Sequence, residues 1–246
     1  MKKLIAGVVL FFVAGLAFVA CGSNTETFTV VTSPDFPPFE FMNADGEKDG
    51  FDIDLIRALG EEMGVEFDII GMDFGGLVAA VATGEADIAI AAMSVDEERL
   101  LSVNFTDAYF QTTQVVLVQT GSHITSLDQL HDATIAVQVG TTSAMIVEWK
   151  LPNAEAILLN QAPFTVMELM AGSVDAVVID FTVAQLFLAE HPGQMVMLDD
   201  YLAVEEYAIA VSKEQPELLE RLNEALAAIR ASGEFQRIYD KWFGGE

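Results

Sequence analysis

Cysteine and histidine are nearly absent, since the 246 residues contain one cysteine and three histidines. A single cysteine cannot form an internal disulfide, and paired-cysteine redox and zinc motifs are excluded with it. His123, His131 and His191 do not cluster in the sequence. We therefore expect a domain that its hydrophobic core alone holds together, with no metal and no cofactor.

Positive charge is also scarce: 11 lysines and arginines stand against 38 acidic residues, for a formal net charge of −27. The resulting field repels phosphate backbones, which excludes nucleic-acid binding as a function. Solubility, and repulsion between copies at a membrane surface, account for this charge without a specific acidic-patch partner.

The N-terminus carries Lys2 and Lys3 and then runs over residues 4–20 without a charge or a proline. A basic start before an apolar stretch and small residues is typical of a secretory signal. The segment Val19-Ala20-Cys21-Gly22-Ser23 resembles a bacterial lipobox, in which the cysteine is lipidated. We predict a signal peptide over 1–20 and a lipidated tether over 21–27, with the mature protein anchored through Cys21 to a bacterial membrane, in the periplasm or on the cell surface. An uncleaved anchor helix is the alternative.

Strand-like and helix-like segments alternate along the rest of the chain, which predicts an α/β protein with parallel sheets and helices on both faces. The predicted strands are 28–32, 65–71, 88–92, 134–139, 157–159 and 175–179. The predicted helices are 54–64, 74–82, 143–150, 162–171 and 181–190, followed by a C-terminal helix that starts at Pro216 and that Gly233 separates from a last short helix.

Two isolated strand-like segments, 114–119 and 205–211, flank the second strand–helix block. If both segments cross between lobes, one lobe comprises 28–114 with 207–246 and the other comprises 115–206. A Gly-x-x-Asp turn recurs at Gly84–Asp87 and Gly172–Asp175, which suggests two lobes of similar construction. Because ligands of open α/β sheets bind at the carboxyl ends of strands, a cleft between the lobes would gather loops from both.

Several motifs, in order along the mature chain, together resemble the family-3 solute-binding proteins of amino-acid ABC importers. They are Thr32-Ser33-Pro34-Asp35-Phe36-Pro37-Pro38-Phe39-Glu40-Phe41, Gly50-Phe51-Asp52-Ile53-Asp54-Leu55, Met93-Ser94-Val95-Asp96-Glu97-Glu98-Arg99, Asn104-Phe105-Thr106-Asp107-Ala108-Tyr109-Phe110, Gly140-Thr141-Thr142, and Gly172-Ser173-Val174-Asp175-Ala176 with Asp180 beyond it. The resemblance implies the two-lobed type II periplasmic-binding-protein fold, in which two open sheets flanked by helices enclose a ligand cleft. It also implies a monomer that captures an amino acid outside the cytoplasm and delivers it to an ABC transporter permease.

The same resemblance implies roles for particular residues. Arg99 would grip the α-carboxylate of the ligand, and Thr141 and Thr142 would add amide and hydroxyl donors. Asp180 would take the α-ammonium, and Ser94 and the carbonyl of Ala92 would share it. The ligand side chain would lie between the rings of Phe36 and Phe74, and Gln138 would stand just before the carboxylate-binding turn.

Each of these roles has a simpler alternative. Arg99 could be a surface residue paired with Glu97 or Glu98. Thr141 could cap a helix, and Asp180 could be the N-cap of the next one. Phe39 and Phe41 are expected in the core. Asp96 stands where the family commonly has threonine, and it could position its loop through hydrogen bonds to the backbone.

The remaining charges restrict the ligand. An acidic side chain would need a second cation, yet Lys48, Arg57, Lys150 and Lys213 lie in no motif that lines the cleft. The aromatic faces and Asp35 suit a neutral or a cationic side chain. Relatives specific for basic ligands often carry an acid where this chain has Ser33, so the sequence favours a polar or neutral amino acid.

Two other functions share the expected fold. A periplasmic dehydratase of prephenate-like substrates would need an acid–base group over its ligand. A sensory protein would instead report its ligand state to a separate membrane receptor. We predict a solute-binding protein and not an enzyme.

Overall fold

The computed structural model describes residues 25–244, so the predicted signal peptide, Cys21 and most of the tether lie outside the described residues. The strands are β1 Thr27–Thr32, β2 Asp35–Phe36, β3 Glu40–Met42, β4 Lys48–Asp49, β5 Glu66–Gly71, β6 Ile88–Ala89, β7 Val103–Phe105, β8 Phe110–Gln119, β9 Thr134–Gln138, β10 Glu155–Leu159, β11 Ala176–Asp180, β12 Met195–Met197, β13 Ala203–Tyr207 and β14 Ala210–Ser212. The helices are α1 Phe51–Met63, α2 Leu77–Ala82, α3 Glu97–Leu100, α4 Thr142–Lys150, α5 Ala162–Ala171, α6 Phe181–Glu190, α7 Pro216–Ser232 and α8 Glu234–Phe243, with short 3-10 helices at Phe74–Gly76 and Leu127–Leu130.

Two open sheets form the body of the protein. The first has the strand order β5-β1-β6-β14-β7, and the second has the order β10-β9-β11-β8-β12 with β13 also paired to β8. Strands that belong to successive strand–helix units are parallel, as β1 is to β5 and β6, and β9 to β10 and β11. Strands β8 and β14 run antiparallel to their neighbours. The predicted α/β class is confirmed, with antiparallel strands added where the chain passes from one sheet to the other.

The helix ends follow the expected chemistry. Helices α1, α5 and α7 end at Gly64, Gly172 and Gly233, each with a positive φ that a glycine adopts without a Cβ clash. Pro216 occupies the first turn of α7, where its missing N–H has no partner to lose. Within residues 25–244, no helix has both the length and the apolar character that a membrane crossing requires.

Gly50 fixes the entry into α1. Its φ is +130°, and a Cβ there would lie 2.1 Å from the carbonyl oxygen of Phe39. The two amides that follow Gly50 donate to the segment before it: Phe51 N donates to Pro38 O, and Asp52 N donates to Phe39 O, each at 2.9 Å. Only glycine allows the two backbone segments to approach this closely, which explains the glycine that begins the Gly-Phe-Asp motif.

The two crossing segments differ in detail from their prediction. The strand expected over 114–119 begins four residues earlier, as β8. The segment expected over 205–211 is interrupted: β13 pairs with β8 in the second sheet, whereas β14 pairs with β6 and β7 in the first. The chain therefore passes between the sheets here, as predicted. The exact lobe limits, 28–114 with 207–246 and 115–206, stay a prediction.

The repeated Gly-x-x-Asp turns perform the same task in each sheet. Asp87 Oδ2 accepts a hydrogen bond from Thr29 N at 2.7 Å, and Asp175 Oδ2 accepts one from Thr134 N at 2.8 Å. Thr29 lies in β1 and Thr134 begins β9, so each aspartate joins its turn to a strand of its own sheet. The expected similarity in the construction of the two halves is confirmed at this point.

An aromatic cluster lies where the crossing segments, the first helix and the C-terminal helix meet. The ring of Phe39 lies 4.9 Å from that of Phe110 and 5.2 Å from that of Tyr207, both edge-on. The ring of Phe243 in α8 lies 5.1 Å from that of Phe51. Phe39 is fully buried, as expected of a core residue.

Two carboxyl groups are buried beside this cluster. Glu40 and Asp52 are both 0% exposed. Asp52 Oδ2 accepts hydrogen bonds from Ala92 N at 2.7 Å and from Tyr109 Oη at 2.8 Å. Burial raises the pKa of Asp52 to about 7, and burial together with the charge of Asp52 raises the pKa of Glu40 well above its usual range. Glu40 therefore keeps its proton to a higher pH in the folded protein than in the unfolded chain.

The proton on Glu40 predicts a dependence of stability on pH. An unfolded glutamate ionises near pH 4, so above that pH the folded protein holds at Glu40 a proton that the unfolded chain has lost. The free energy of unfolding must then fall as pH rises, by up to about 1.4 kcal/mol per pH unit for this one proton. We expect urea unfolding of the wild type between pH 5 and 8 to show a steeper decline than that of Glu40→Gln, which carries no such proton.

Glu47→Gln is the matched control, because Glu47 is exposed in the loop before β4. It should keep the slope of the wild type. Parallel slopes for the wild type and Glu40→Gln would contradict the assignment of a retained proton to Glu40.

Candidate ligand-binding site

A cavity lies between the two sheets, and all nine predicted binding residues line it. Its walls surround about 280 Å³ of empty space, part of which is open to solvent. The lining residues are Phe36, Phe74, Ala91, Ala92, Ser94, Arg99, Gln138, Thr141, Thr142 and Asp180. Ala91 is the one lining residue that sequence analysis did not indicate. The structure thus brings the predicted residues together, and their binding roles stay predictions.

The cavity lies where strands end. Gln138 and Asp180 are the last residues of β9 and β11, and Ser94 follows β6. Phe36 and Phe74 enter from the short β2 and from the 3-10 helix after β5. The carboxyl ends of parallel strands therefore converge from both sheets, which is the arrangement expected for ligands of open α/β folds.

Arg99 is buried between the two halves, with 4% of its surface exposed. Its Nη1 donates to Ser94 O at 2.5 Å and its Nη2 donates to Gly140 O at 2.9 Å. Each terminal nitrogen of a guanidinium carries two hydrogens, so one N–H on each remains without an acceptor among residues 25–244. Guanidinium N–H groups are the donors that a carboxylate accepts, in a bidentate contact where two of them are parallel. Burial lowers the pKa of Arg99, and nearby acids, first among them Asp96, oppose that shift.

Asp96 holds Arg99 in place. Its Oδ1 accepts hydrogen bonds from the amides of Glu98 and Arg99, both at 2.9 Å, and so caps α3. Its Oδ2 lies 3.0 Å from Nε of Arg99 as an ion pair. The expectation that Asp96 positions its loop through the backbone is confirmed. A surface Arg99 paired with Glu97 or Glu98 is not what the structure contains.

The turn before α4 brings the second half close to the first. A Cβ on Gly140 would lie 2.8 Å from the Cα of Gly75, and Gly140 has a φ of +78°. Thr141 is the N-cap of α4: its hydroxyl accepts from Ala144 N at 3.3 Å and donates to Gln138 O at 2.7 Å. The capping alternative for Thr141 is therefore correct. Apart from Ala144 N, the first-turn amides of α4, those of Thr142 and Ser143, have no intrahelical acceptor.

The hydroxyl of Thr142 has a different partner from the one expected. Its Oγ1 lies 2.7 Å from Oε2 of Glu205, and it donates to that carboxylate. The donor capacity that this turn offers to an anion thus lies in the backbone amides and not in the two hydroxyls.

Asp180 provides the negative charge of the cavity. It is almost fully buried, and Tyr207 Oη donates to its Oδ1 at 2.5 Å. Burial, with a contribution from the charge of Glu205, raises the pKa of Asp180 to about 7. Although Asp180 precedes α6, its side chain makes no hydrogen bond that caps the helix. Its oxygens therefore remain acceptors for a ligand.

Ala92 adopts a left-handed conformation, with a φ of +44°. This conformation is unusual for a residue with a Cβ. The buried Asp52 stabilises it by accepting the hydrogen bond of the Ala92 amide. The predicted strand 88–92 accordingly ends at Ala89, and residues 91–92 turn to line the cavity.

Gln138 and Asp35 form one wall next to Phe36. Gln138 Nε2 donates to Asp35 Oδ2 at 3.0 Å and to Asn160 O at 3.0 Å. The hydroxyl of Ser33 donates to Asp35 Oδ1 at 3.0 Å. Burial is the main cause that raises the pKa of Asp35, and the hydrogen bond from Ser33 opposes it. A carboxyl group therefore lies beside the aromatic part of the cavity. On the opposite wall the Arg99 guanidinium lies 5.5 Å from the ring centre of Phe74.

Residues 25–244 contain no group of three or more histidine, cysteine or acidic side chains arranged to hold a metal ion.

Sequence reasoning missed Glu205, whose carboxylate contacts two lining hydroxyls. Glu205 and the buried Tyr207 lie on one face of β13 at a spacing of two, and that alternation was the available signal.

Comparisons with known proteins agree on the family. The pattern described as "Bacterial extracellular solute-binding proteins, family 3" matches residues 28–245. The "Probable histidine-binding protein" of Neisseria gonorrhoeae is 31% identical over 263 residues, covering 100% of this chain and 97% of that protein. The "ABC transporter arginine-binding protein 1" of Escherichia coli (strain K12) is 32% identical over 248 residues, covering 99% of each.

Solved structures agree as well. The crystal structure of "the substrate binding protein of an amino acid ABC transporter" has a TM-score of 0.84 and 40% sequence identity, covering 89% of this chain and 100% of that one. The fold is thus the two-lobed type II arrangement that the motifs implied. The chain belongs to the family-3 bacterial extracellular solute-binding proteins.

Proposed function

We propose that this protein binds a free L-amino acid with a cationic side chain and delivers it to an ABC importer. One observation carries the proposal: a buried guanidinium with two available N–H groups and a buried carboxyl group line the same cavity of about 280 Å³. A free amino acid at neutral pH is a zwitterion, and each of its charges would find an opposite partner there. Neither charge could enter so buried a site without such a partner.

The proposed pose assigns the two ends of the zwitterion separately. The α-carboxylate accepts the free N–H groups of Arg99 and first-turn amides of α4. The α-ammonium donates to Asp180, to Ser94 and to the carbonyl of Ala92. The ammonium would favour the ionised form of Asp180, whose pKa burial raises to about 7.

The cationic side chain departs from the neutral or polar preference that the sequence favours. The argument against a cation was the lack of an acid at position 33, yet the Ser33 hydroxyl holds Asp35, and Asp35 contacts the lining residue Gln138. A carboxyl group is therefore available at this wall after all. The rings of Phe36 and Phe74 add aromatic faces that attract a cation. Arginine- and histidine-binding names among the relatives point the same way.

A panel of ligands tests the proposal. We expect isothermal calorimetry on the purified mature protein to give the tightest binding with arginine, lysine or histidine, weaker binding with glutamine, and none with glutamate, because a buried acidic side chain would lack a cation. Tightest binding of glutamine would restore the neutral preference.

Tightest binding of glutamate would overturn this assignment of the pocket. Prephenate belongs in the same panel, because conversion of prephenate to phenylpyruvate would establish the dehydratase alternative. We propose that no conversion occurs.

Substitution of Arg99 tests the carboxylate contact. Arg99→Ala removes one partner of a buried ion pair, which costs about 3–5 kcal/mol, or roughly a hundredfold to several-thousandfold in Kd. Arg57→Ala is the matched control, because Arg57 is exposed and reaches only the carbonyl of Lys48 at 3.5 Å. Equal losses of affinity in the two variants would refute the role of Arg99.

Membrane attachment through Cys21 belongs to the same proposal. Lipid chains contribute about 0.8 kcal/mol per buried CH₂, so a multiply acylated cysteine anchors stably. We expect Cys21→Ser to leave the precursor unprocessed or to release soluble protein, as followed by mass spectrometry and membrane fractionation. Unchanged precursor mass and unchanged membrane partition in both forms would favour the uncleaved anchor helix.

The proposed delivery step uses the division of the chain. We infer a monomer whose lobes, 28–114 with 207–246 and 115–206, close on the ligand by bending at the two crossing segments. The importer would then distinguish the closed form from the open one. A receptor that reads the same closed form is the second candidate partner.

A further inference from the structure

Glu205 lies behind one end of the cavity and binds its lining hydroxyls. It sits on β13, opposite Thr112 of β8. A single oxygen, Oε2, accepts from Ser94 Oγ at 2.5 Å, from Thr142 Oγ1 at 2.7 Å and from Gln114 Nε2 at 3.1 Å. Ser94 and Thr142 line the cavity from opposite halves of the protein, whereas Glu205 itself is not part of the lining.

The surrounding hydrogen bonds fix this arrangement. The hydroxyl of Ser143 donates to Gln114 Oε1 at 2.7 Å, so the amide nitrogen of Gln114 must face Glu205. Gln114 and Ser143 are both almost fully buried. Oε2 of Glu205 is thus surrounded by three donors, two hydroxyls and one amide.

The single hydrogen of each hydroxyl decides whether Ser94 and Thr142 can donate to a ligand or only accept from it. Each hydroxyl has one hydrogen and two lone pairs, and a carboxylate can only accept. Because Ser94 and Thr142 both give their hydrogen to Glu205, only their lone pairs remain for a ligand. Asp180, at the same cavity, is also an acceptor. Three lining side chains therefore accept hydrogen bonds, and an ammonium group, with three hydrogens, matches them.

We propose that Glu205 is a positioning residue that sets the hydroxyls of Ser94 and Thr142 as acceptors for the ligand ammonium. This inference rests on the proposed function and deepens it, since it names what makes the site selective for an amino acid over the same molecule without its amino group. It also assigns Thr142 to the ammonium and not to the carboxylate. The carboxylate keeps Arg99 and the amides of α4.

Glu205 could instead serve only to hold the two halves together, because its hydrogen-bond partners come from both. Loss of that role would lower the affinity for every ligand by the same factor. Loss of hydroxyl orientation would weaken only ligands that carry the ammonium. The ratio of affinities for an amino acid and its desamino analogue separates the two roles.

The experiment measures Kd by calorimetry, with competition for weak ligands, for two pairs: arginine with 5-guanidinovalerate, and glutamine with glutaramate. The variants are Glu205→Ala, which removes the acceptor, and Glu205→Gln, which keeps an acceptor oxygen without the charge. Glu206→Ala is the matched control, because Glu206 is the adjacent acid, exposed on the other face of β13. Thermal melting of each variant checks that it is folded.

We expect Glu205→Ala to weaken the amino acid by roughly tenfold or more while the desamino analogue changes by less than about threefold. Glu205→Gln should keep most of the wild-type ratio, and Glu206→Ala all of it. Equal weakening of both members of a pair, or equal effects of Glu205→Ala and Glu206→Ala, would overturn the inference and leave the proposed function intact. Failure of the wild type to bind any amino acid of the two pairs or of the ligand panel would overturn both. If Glu205→Ala does not fold, an unchanged ratio in Thr142→Val, which lacks the hydroxyl, would refute the inference instead.

Discussion

The burial of Tyr207 holds the two halves of the protein and the cavity in one arrangement. Tyr207 is fully buried at the end of β13, where the chain leaves the second sheet for the first. Its carbonyl accepts the amide of Tyr109 in the other crossing segment at 2.8 Å, and its hydroxyl reaches Asp180 in the cavity. Its ring packs edge-on against Phe39, which is part of the N-terminal motif. The hydroxyl of Tyr207 thus connects the crossing segment to the cavity, and its ring connects the same segment to the core.

Charge balance is the second constraint, because the interior contains more acids than bases. Arg99 faces Asp96, Asp180 and Glu205, while Glu40 and Asp52 lie behind the cavity lining. Burial raises the pKa of Asp180 and Asp52 to about 7. A positive charge nearby would favour the ionised form of both groups. A zwitterion with a cationic side chain brings net positive charge into this environment and compensates it. The same excess disfavours an acidic ligand, independently of the shape of the cavity.

Local chemistry in the sequence predicted the elements with strong periodic patterns and clear stop signals. Helix α5 has the predicted limits, and Gly64 and Gly172 end their helices as expected. The resemblance also indicated all but one of the lining residues, Ala91. The short strands β2, β3 and β4 were missed, because two or three residues among turns give no measurable period. The strand predicted to 92 ended at Ala89, since the hydrogen bond from Ala92 to Asp52, 40 positions away, decides that turn.

The role inferred for Glu205 was out of reach of sequence reasoning for the same reason. Its partners Ser94, Gln114 and Thr142 are separated from it by 111, 91 and 63 positions, so only the folded chain brings them to one oxygen.

The hydrogen bonds of Arg99 connect the two halves at the same place where a ligand is proposed to bind. Its two donated hydrogen bonds reach Ser94 O in the first half and Gly140 O in the second, and these contacts direct its other N–H groups. The close approach of Gly75 to Gly140 permits that geometry, and a Cβ on Gly140 would block it. In the proposed pose, the ligand carboxylate contacts Arg99 and the amides of α4 together because the halves are this close. A ligand held by both halves in this way would bind the closed arrangement more tightly than an open one, which is the physical requirement for binding to shift the population towards it.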